Sequence, residues 1–322
     1  MRVLIIGGGG FLGQKLAEAL VSRGHLCGRD VSSIVLADLL RPDPPKGQIP
    51  VETVALDITD PVSLRTAIGA RFDVIYHLAA IVSGQAEAEF DLGMQVNLTG
   101  SINVFEAARA LGTCPVVVFT SSIAVYGGDI PDPIPDWAML NPQTSYGAQK
   151  AAAELLLTDY SRKGFLDGRG LRLPTISVRP GKANKAASSF MSSIFREPLQ
   201  GQEAVCPVPP DYAHWFLSPR ACIQNLLHAA EVEAGAWGSN RCLALPGRTH
   251  TIGEMVEAMR RVAGDAAPAR IRWEPDLSVQ AIVNGWKARF DPARAIAMGF
   301  QADESFEDNI RYFLEDDVVT VT

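Results

Sequence analysis

The sequence predicts an α/β protein: a Rossmann-type, doubly wound parallel sheet with a smaller C-terminal substrate-binding domain. Three observations predict it. Short apolar runs alternate with helical periodicity through the first half. A glycine-spaced turn stands between the first apolar run and the first helix. After about residue 181 the alternation loosens, and Pro198, Pro207, Pro209, Pro210 and Pro219 interrupt it.

In chain order, RVLII at 2–6 is a branched apolar run suited to a strand buried on both faces. From 14 to 23, Leu16, Ala17, Leu20 and Val21 recur at helical spacing, and Gly24 stops that helix. Residues 34–37 form a second strand ending at Asp38, and residues 51–56 a third ending at Asp57. A helix over 61–68 has Asp60 to cap it and Pro61 at its first position. A fourth strand covers 73–78, a helix 92–111, a fifth strand 116–120, a helix 145–163 and a sixth strand 175–178. Further helices are expected near 219–233 and 252–263. These elements divide the chain into a cofactor half, 1–181, and a mainly substrate-side half, 182–322. Segments near 219–246 are expected to return to the main sheet.

The 322 residues are 47% hydrophobic and 20% charged, which is ordinary globular usage and excludes a disordered or collagen-like chain. Thirty-six acidic against 29 basic side chains leave a net charge of −7, the wrong sign for a dedicated binder of nucleic acid or anionic membrane. The five cysteines are odd in number and none pair at CxxC spacing, so thiols in a reducing compartment are expected and no metal site. No apolar run has the length of a membrane span. Four glycines, Lys15 and Glu18 interrupt the start before it can act as a secretory signal, so the expected location is cytoplasmic.

Gly7, Gly10 and Gly13 stand at the spacing that lets a backbone turn sharply, approach a pyrophosphate and pack a helix close to a sheet. The helix start beyond them supplies N–H groups and partial positive charge. Asp38, ending the second strand, suits an adenosine ribose diol and favours NAD over NADP, since a 2′-phosphate there meets like charge. Arg41, three residues on, partly offsets this and leaves NADP as the less favoured cofactor. Asp57 has two readings, an adenine contact or a capping role in its loop. No GxxxxGK[ST] follows the first strand, against an NTPase.

Tyr146 and Lys150 in SYGAQK lie one helical turn apart, on one face. An ammonium beside a phenol favours the phenolate, as a general base for an alcohol proton requires. A serine in TSSIAVYG (120–127) can hydrogen-bond an oxygen changing between alcohol and carbonyl. Singly, each has a bland alternative: YxxxK arises by chance on helices, and serines after strands often serve turns.

Together these residues resemble the extended short-chain dehydrogenase/reductases, the class that includes NAD-dependent epimerases and dehydratases. The matching stretches are GGGGFLG (7–13), Asp38, LDITD (56–60), HLAA (77–80), VNLTGSINVFEAAR (96–109), SSIAVYG (121–127), YGAQK (146–150) and VRPG (178–181). The resemblance implies Ser122, Tyr146 and Lys150 as the catalytic triad, Ser122 because it precedes VYG at the family's interval. It implies cofactor contacts, beyond Tyr146 and Lys150, from Gly7, Gly10, Phe11, Leu12, Gly13, Asp38, Asp57, Ile58, Leu78, Ala79 and Ala80. It also implies a homodimer formed through the helices near 97–111 and 146–163. Members acting on nucleotide sugars carry an RDY-x-HVDD-like motif. Here the corresponding PPDYAHWFLSPRAC (209–222) lacks the arginine and the acids, so a smaller substrate is expected. Residues 181–220 are similar to those of members that oxidise small hydroxylated carboxylates. That likeness implies NAD-dependent oxidation of the C2 hydroxyl of a small sugar acid. With Ser122 and Tyr146, the candidate substrate contacts are Lys182, Asn184, Ser189, Arg196 and His214, with Lys185, Ser188 and Arg220 as further carboxylate partners. The rivals are a threonine-oxidising enzyme, a nucleotide-sugar epimerase or dehydratase, and a NAD-sensing scaffold without turnover.

Overall fold

Strand β1 (Arg2–Ile6) is the centre from which the main sheet is wound. On one side it pairs in parallel with β2 (Ser33–Asp38), which pairs in parallel with β3 (Val51–Ala55). On the other side lie β4 (Val74–His77), β5 (Val116–Ser122), β6 (Asp167–Leu173) and β7 (Cys242–Ala244). The resulting order is β7-β6-β5-β4-β1-β2-β3. The winding direction reverses between β1 and β4, and at such a switch point the strand ends open a crevice for a ligand. This is a computed structural model, and it describes residues 1–69, 72–181 and 188–318.

Two compact units divide the chain: 1–125, 144–172 and 223–244 in one, and 126–143, 173–222 and 245–318 among the described residues of the other. Residues 126–143 and 173–181, expected with the cofactor half, therefore group with the second unit. Residues 223–244 return to the first.

In the first unit, side-chain alternation sends Leu4, Ile6, Val35, Ala37, Ile75, Val117 and Phe119 to one face of the sheet, all buried. Helices α2 (Pro61–Ile68), α3 (Gly100–Ala110) and α4 (Ser145–Arg162) meet that face with Leu64, Ile68, Val104, Phe105, Ala153 and Leu157. Helix α1 (Phe11–Arg23) buries Leu16, Ala17 and Leu20. Helix α2 starts as expected, with Asp60 accepting from Val62 N–H at 2.9 Å and Pro61 first in line.

Three expectations about elements need correction. Helix α1 starts at Phe11, three residues early, because Gly10 already serves as its cap. The helix expected over 92–111 is broken: Phe90–Gly93 is α-helical, Met94–Thr99 widens into π-helical turns, and α3 follows. The sixth strand of the main sheet is β6, a segment missed in the sequence. Thr175–Ile176, expected in its place, pairs instead with Ala213–Leu217 in a small three-stranded sheet completed by Arg248–Thr251.

That small sheet belongs to the second unit. Its core gathers Met191, Ile194 and Phe195 of helix Phe190–Leu199 and Ile252, Met255 and Met259 of helix Ile252–Ala263. Phe306, Ile310 and Phe313 of helix Phe306–Asp316 complete it. The last two helices each begin with a reciprocal capping box, Thr251 with Glu254 and Ser305 with Asp308.

Candidate active site

The glycine loop is shaped by close approach. Gly7 has φ +90°, and a Cβ there would stand 2.6 Å from Ala79 N. A Cβ on Gly13 would stand 2.3 Å from Gly7 O, so α1 can pack this tightly against the loop only with glycine. Gly10 caps α1 with extended backbone and no side-chain hydrogen bond, and no acid occupies the first turn. The leading N–H groups of Phe11, Leu12 and Gly13 thus meet no competing carboxylate, beside the exposed Gly9 and Gly10. This cradle fits a dinucleotide pyrophosphate.

Asp38 closes β2 beside the loop. Its Oδ2 accepts from Gly9 N–H at 2.9 Å and its Oδ1 from Leu39 N–H at 2.7 Å, which pins the carboxylate beside the glycine loop. Asp57 accepts from both Thr59 N–H (2.8 Å) and Thr59 Oγ (2.7 Å), which is the loop-stabilising role held open for it. Ile58 is buried, and its carbonyl accepts from Asn103 at 3.0 Å. Leu78 and Ala79 both donate their N–H to Ile6 O, at 2.8 and 3.1 Å, before the chain turns outward at the exposed Ala80.

The chemistry-bearing residues lie where β5 ends and α4 begins. Thr144 caps α4 through Gly147 N–H (3.1 Å), and Glu87 accepts from Ser145 N–H (2.9 Å). That fixes the half-buried Tyr146 in the first turn. One turn on, Lys150 is 1% exposed and donates to Thr120 O of β5 at 2.8 Å. Its Nζ lies 4.8 Å from the Phe119 ring centre and 5.8 Å from that of Tyr146. Burial lowers the Lys150 pKa to about 7, against the opposing pull of Glu154. Of the two serines closing β5, Ser122 is half-buried and accepts from Ala124 N–H at 3.1 Å. Ser121 is buried and its hydroxyl has no hydrogen-bond partner.

Asn97, in the π-helical turns, went unnoticed in the sequence. It exchanges hydrogen bonds with both backbone groups of Ile81 (2.9 and 3.3 Å) and donates to Gln149 of α4 (2.9 Å). It ties the segment after β4 to the helix carrying Tyr146 and Lys150. The stretch VNLTGSINVFEAAR contained it, but an asparagine in a helical pattern carries no visible signal of a clamp.

Of the expected substrate contacts, Ser122 and Tyr146 belong to the first unit, and Ser188, Ser189, Arg196, His214 and Arg220 to the second. Lys182, Asn184 and Lys185 lie outside the described residues. Ser188 and Ser189 are half-buried, and the Ser189 carbonyl accepts from Ser193 Oγ at 3.2 Å. Arg196 departs from the expectation of an available carboxylate anchor. It is 3% exposed and bonds Arg179 O (3.1 Å), Ser193 Oγ (3.0 Å) and Glu197 (2.5 Å). Arg220 likewise pairs with Glu315 and Asp316. His214 is buried, its Nε2 lies 2.9 Å from Thr175 Oγ, and its Nδ1 has no partner. Desolvation lowers its pKa to about 3, so the ring is neutral. Among the described residues, no three histidine, cysteine or acidic side chains gather to hold a metal, and no helix is long and apolar enough to cross a membrane. None of the five cysteines forms a disulfide.

Residues 3–211 match the model of the NAD dependent epimerase/dehydratase family. The chain belongs to this family. Across 320 residues, 98% of each chain, it is 51% identical to a D-erythronate dehydrogenase of Cupriavidus necator. Across 318 residues it is 41% identical to one of Haemophilus influenzae, covering 99% of this chain and all of that one. It also superposes on a nucleoside-diphosphate-sugar epimerase of Agrobacterium tumefaciens with TM-score 0.94 and 48% identity, over 98% of this chain and 94% of that one. As a member of this family with two D-erythronate dehydrogenases among its full-length relatives, it is a nicotinamide-dependent enzyme acting on CH–OH groups.

Proposed function

We propose that the chain oxidises D-erythronate at its C2 hydroxyl, with NAD as oxidant, giving 2-oxo-tetronate, NADH and a proton. The observation that carries this reading is the end-to-end likeness to two D-erythronate dehydrogenases. When bound, the nicotinamide supplies the hydride acceptor. Tyr146 takes the hydroxyl proton as the C2–H bond gives up its electron pair and the C=O bond forms. Ser122 hydrogen-bonds the same oxygen, and Lys150 holds the ribose and favours the Tyr146 phenolate. The 7–13 loop takes the pyrophosphate, and the residues that follow β2 and β4 take the adenosine side and the nicotinamide side. Asp38 supports NAD over NADP, because its carboxylate stands where a 2′-phosphate would bring like charge. Lys182, Asn184, Ser189 and His214 remain the proposed substrate contacts. His214 acts there as a neutral group whose buried Nδ1 has no partner in the protein. We further propose a homodimer joined through α3 and α4, working in the cytoplasm, where free thiols persist.

The Agrobacterium relative favours a second reading, epimerisation of a nucleoside-diphosphate sugar. Against it, Pro210 stands where an arginine would grip the diphosphate, and no acid pair follows His214. Following NADH absorbance with D-erythronate, L-threonine and a nucleoside-diphosphate sugar separates the readings. Sustained NADH formation with D-erythronate is expected. Conversion of the nucleotide sugar with no net NADH would replace the proposal by its rival.

A further inference from the structure

Glu154 lies on α4 one turn beyond Lys150 and two beyond Tyr146, so the three share one helical face. It is buried, and Arg172 of β6 grips it from across the sheet. Nε lies 3.0 and 3.1 Å from the two carboxylate oxygens, and Nη2 lies 2.7 Å from Oε2. Both side chains are all but excluded from solvent, at 3% and 6% exposed. A carboxylate is costly to bury, and the guanidinium fork offsets that cost and fixes the side chain on the β6 side. There it acts on the buried Lys150 ammonium through space, while Lys150 keeps its hydrogen bond to Thr120 O.

Among the described residues, Lys150 also has around it the Phe119 ring and Thr120 carbonyl of β5, Tyr146 on its own helix, and His77 of β4. That imidazole is neutral, with Nε2 3.0 Å from Ser101 Oγ. Glu87 sits at the helix start, bound to Ser145 N–H, and the Cys242 thiol of β7 faces Glu154. Among these groups, Glu154 is the carboxylate one turn from Lys150 on the same helical face, and its charge opposes the burial that lowers the Lys150 pKa.

We propose that Glu154, clamped by Arg172, is a positioning residue that keeps Lys150 protonated in its dry site, so that the ammonium can act on Tyr146 and the ribose. Its meaning for turnover rests on the dehydrogenase reading above, but its test does not. The cofactor-free chain, labelled with ¹³C at lysine Cε, is titrated by NMR, with Lys150→Met assigning the signal. Glu154→Gln lowers the Lys150 midpoint by about one pH unit, the scale of an opposite charge lost at close range. Glu154→Asp, which keeps the charge, restores it toward the wild-type midpoint. Glu154→Gln combined with Arg172→Met leaves no orphaned guanidinium, so it folds where the single variant fails; because it also removes a cation, its midpoint is compared with that of Arg172→Met and lies below it. In the loaded enzyme the alkaline limb of kcat/KM moves down with the midpoint. An unmoved midpoint in either folded variant overturns the proposal. Absence of NADH formation by the wild type would overturn only the reading on which its catalytic meaning rests.

Discussion

Tyr146 and Lys150 illustrate how one residue spacing becomes chemistry. Helical geometry alone brings a phenol and an ammonium to the same face, but a solvated lysine would act on the phenol only weakly. The fold adds the second ingredient by burying Lys150 between Phe119 and the carbonyl end of β5, where each charge has a longer reach. Tyr146→Phe keeps the ring and removes the base. It is expected to lower kcat by about a hundredfold or more while leaving the affinity for NADH within a few-fold, measured by steady-state NADH formation and fluorescence titration. Wild-type turnover in this variant would remove Tyr146 from the mechanism. The pair was legible in the sequence because its signal is local. Glu154 and Asn97 were not, because their meaning depends on partners, Arg172, Ile81 and Gln149, that only the folded chain brings to them.

At the scale of elements, the turn from β1 into α1 is proposed to hold the cofactor as a unit. Gly13→Ala would press a methyl against Gly7 O, forcing the helix away from the loop. It is expected to weaken NADH binding by roughly tenfold or more, since displaced N–H groups no longer converge on the pyrophosphate. Fluorescence titration checks it, and unchanged affinity would mean that the loop does not hold the cofactor. Helix α4 presents Leu155, 68% exposed, on its outer side. If α4 forms half of a dimer contact, Leu155→Glu halves the mass measured by light scattering, and an unchanged dimer would place the interface elsewhere. Most elements were legible from apolar periodicity, such as β1, β2, α2 and the helix Ile252–Ala263. Strand β6 was not, for a physical reason. Its sequence DGRGLRL holds two glycines and two arginines, which read as a loop. Both arginines are buried and matched by carboxylates, Arg169 by Asp167 and Arg172 by Glu154, so tertiary pairing makes a strand that propensity disfavours. The π-helical turns at Met94–Thr99 were equally hidden, since the side-chain pattern there passes for ordinary helix.

For the molecule as a whole, each compact unit buries one neutral histidine, His77 in the first and His214 in the second, both with pKa lowered to about 3 by desolvation. The unfolded chain takes up protons at these rings below about pH 6.5, and the folded chain does not. Their contribution is therefore intact above that pH and is lost as the pH falls toward 3. Between pH 6.5 and 5 this amounts to about 2 kcal/mol for each ring. Calorimetry should show thermal midpoints falling over this interval, and midpoints independent of pH would contradict the buried neutral state. The division of the chain was less legible than its fold class. Segments 126–143 and 223–244 each leave their sequence neighbours for the other unit, and contacts so distant in sequence leave no periodic trace. The proposed reaction turns on one bond, C2–H of a four-carbon sugar acid, broken as hydride while Tyr146 takes the hydroxyl proton. D-erythronate carrying deuterium at C2 tests it most directly. The prediction is that the deuterium appears in the reduced nicotinamide, with protium left behind at C2 in none of the product because that carbon has become a ketone. Deuterium retained on the carbon chain, with NADH carrying only protium, would contradict it.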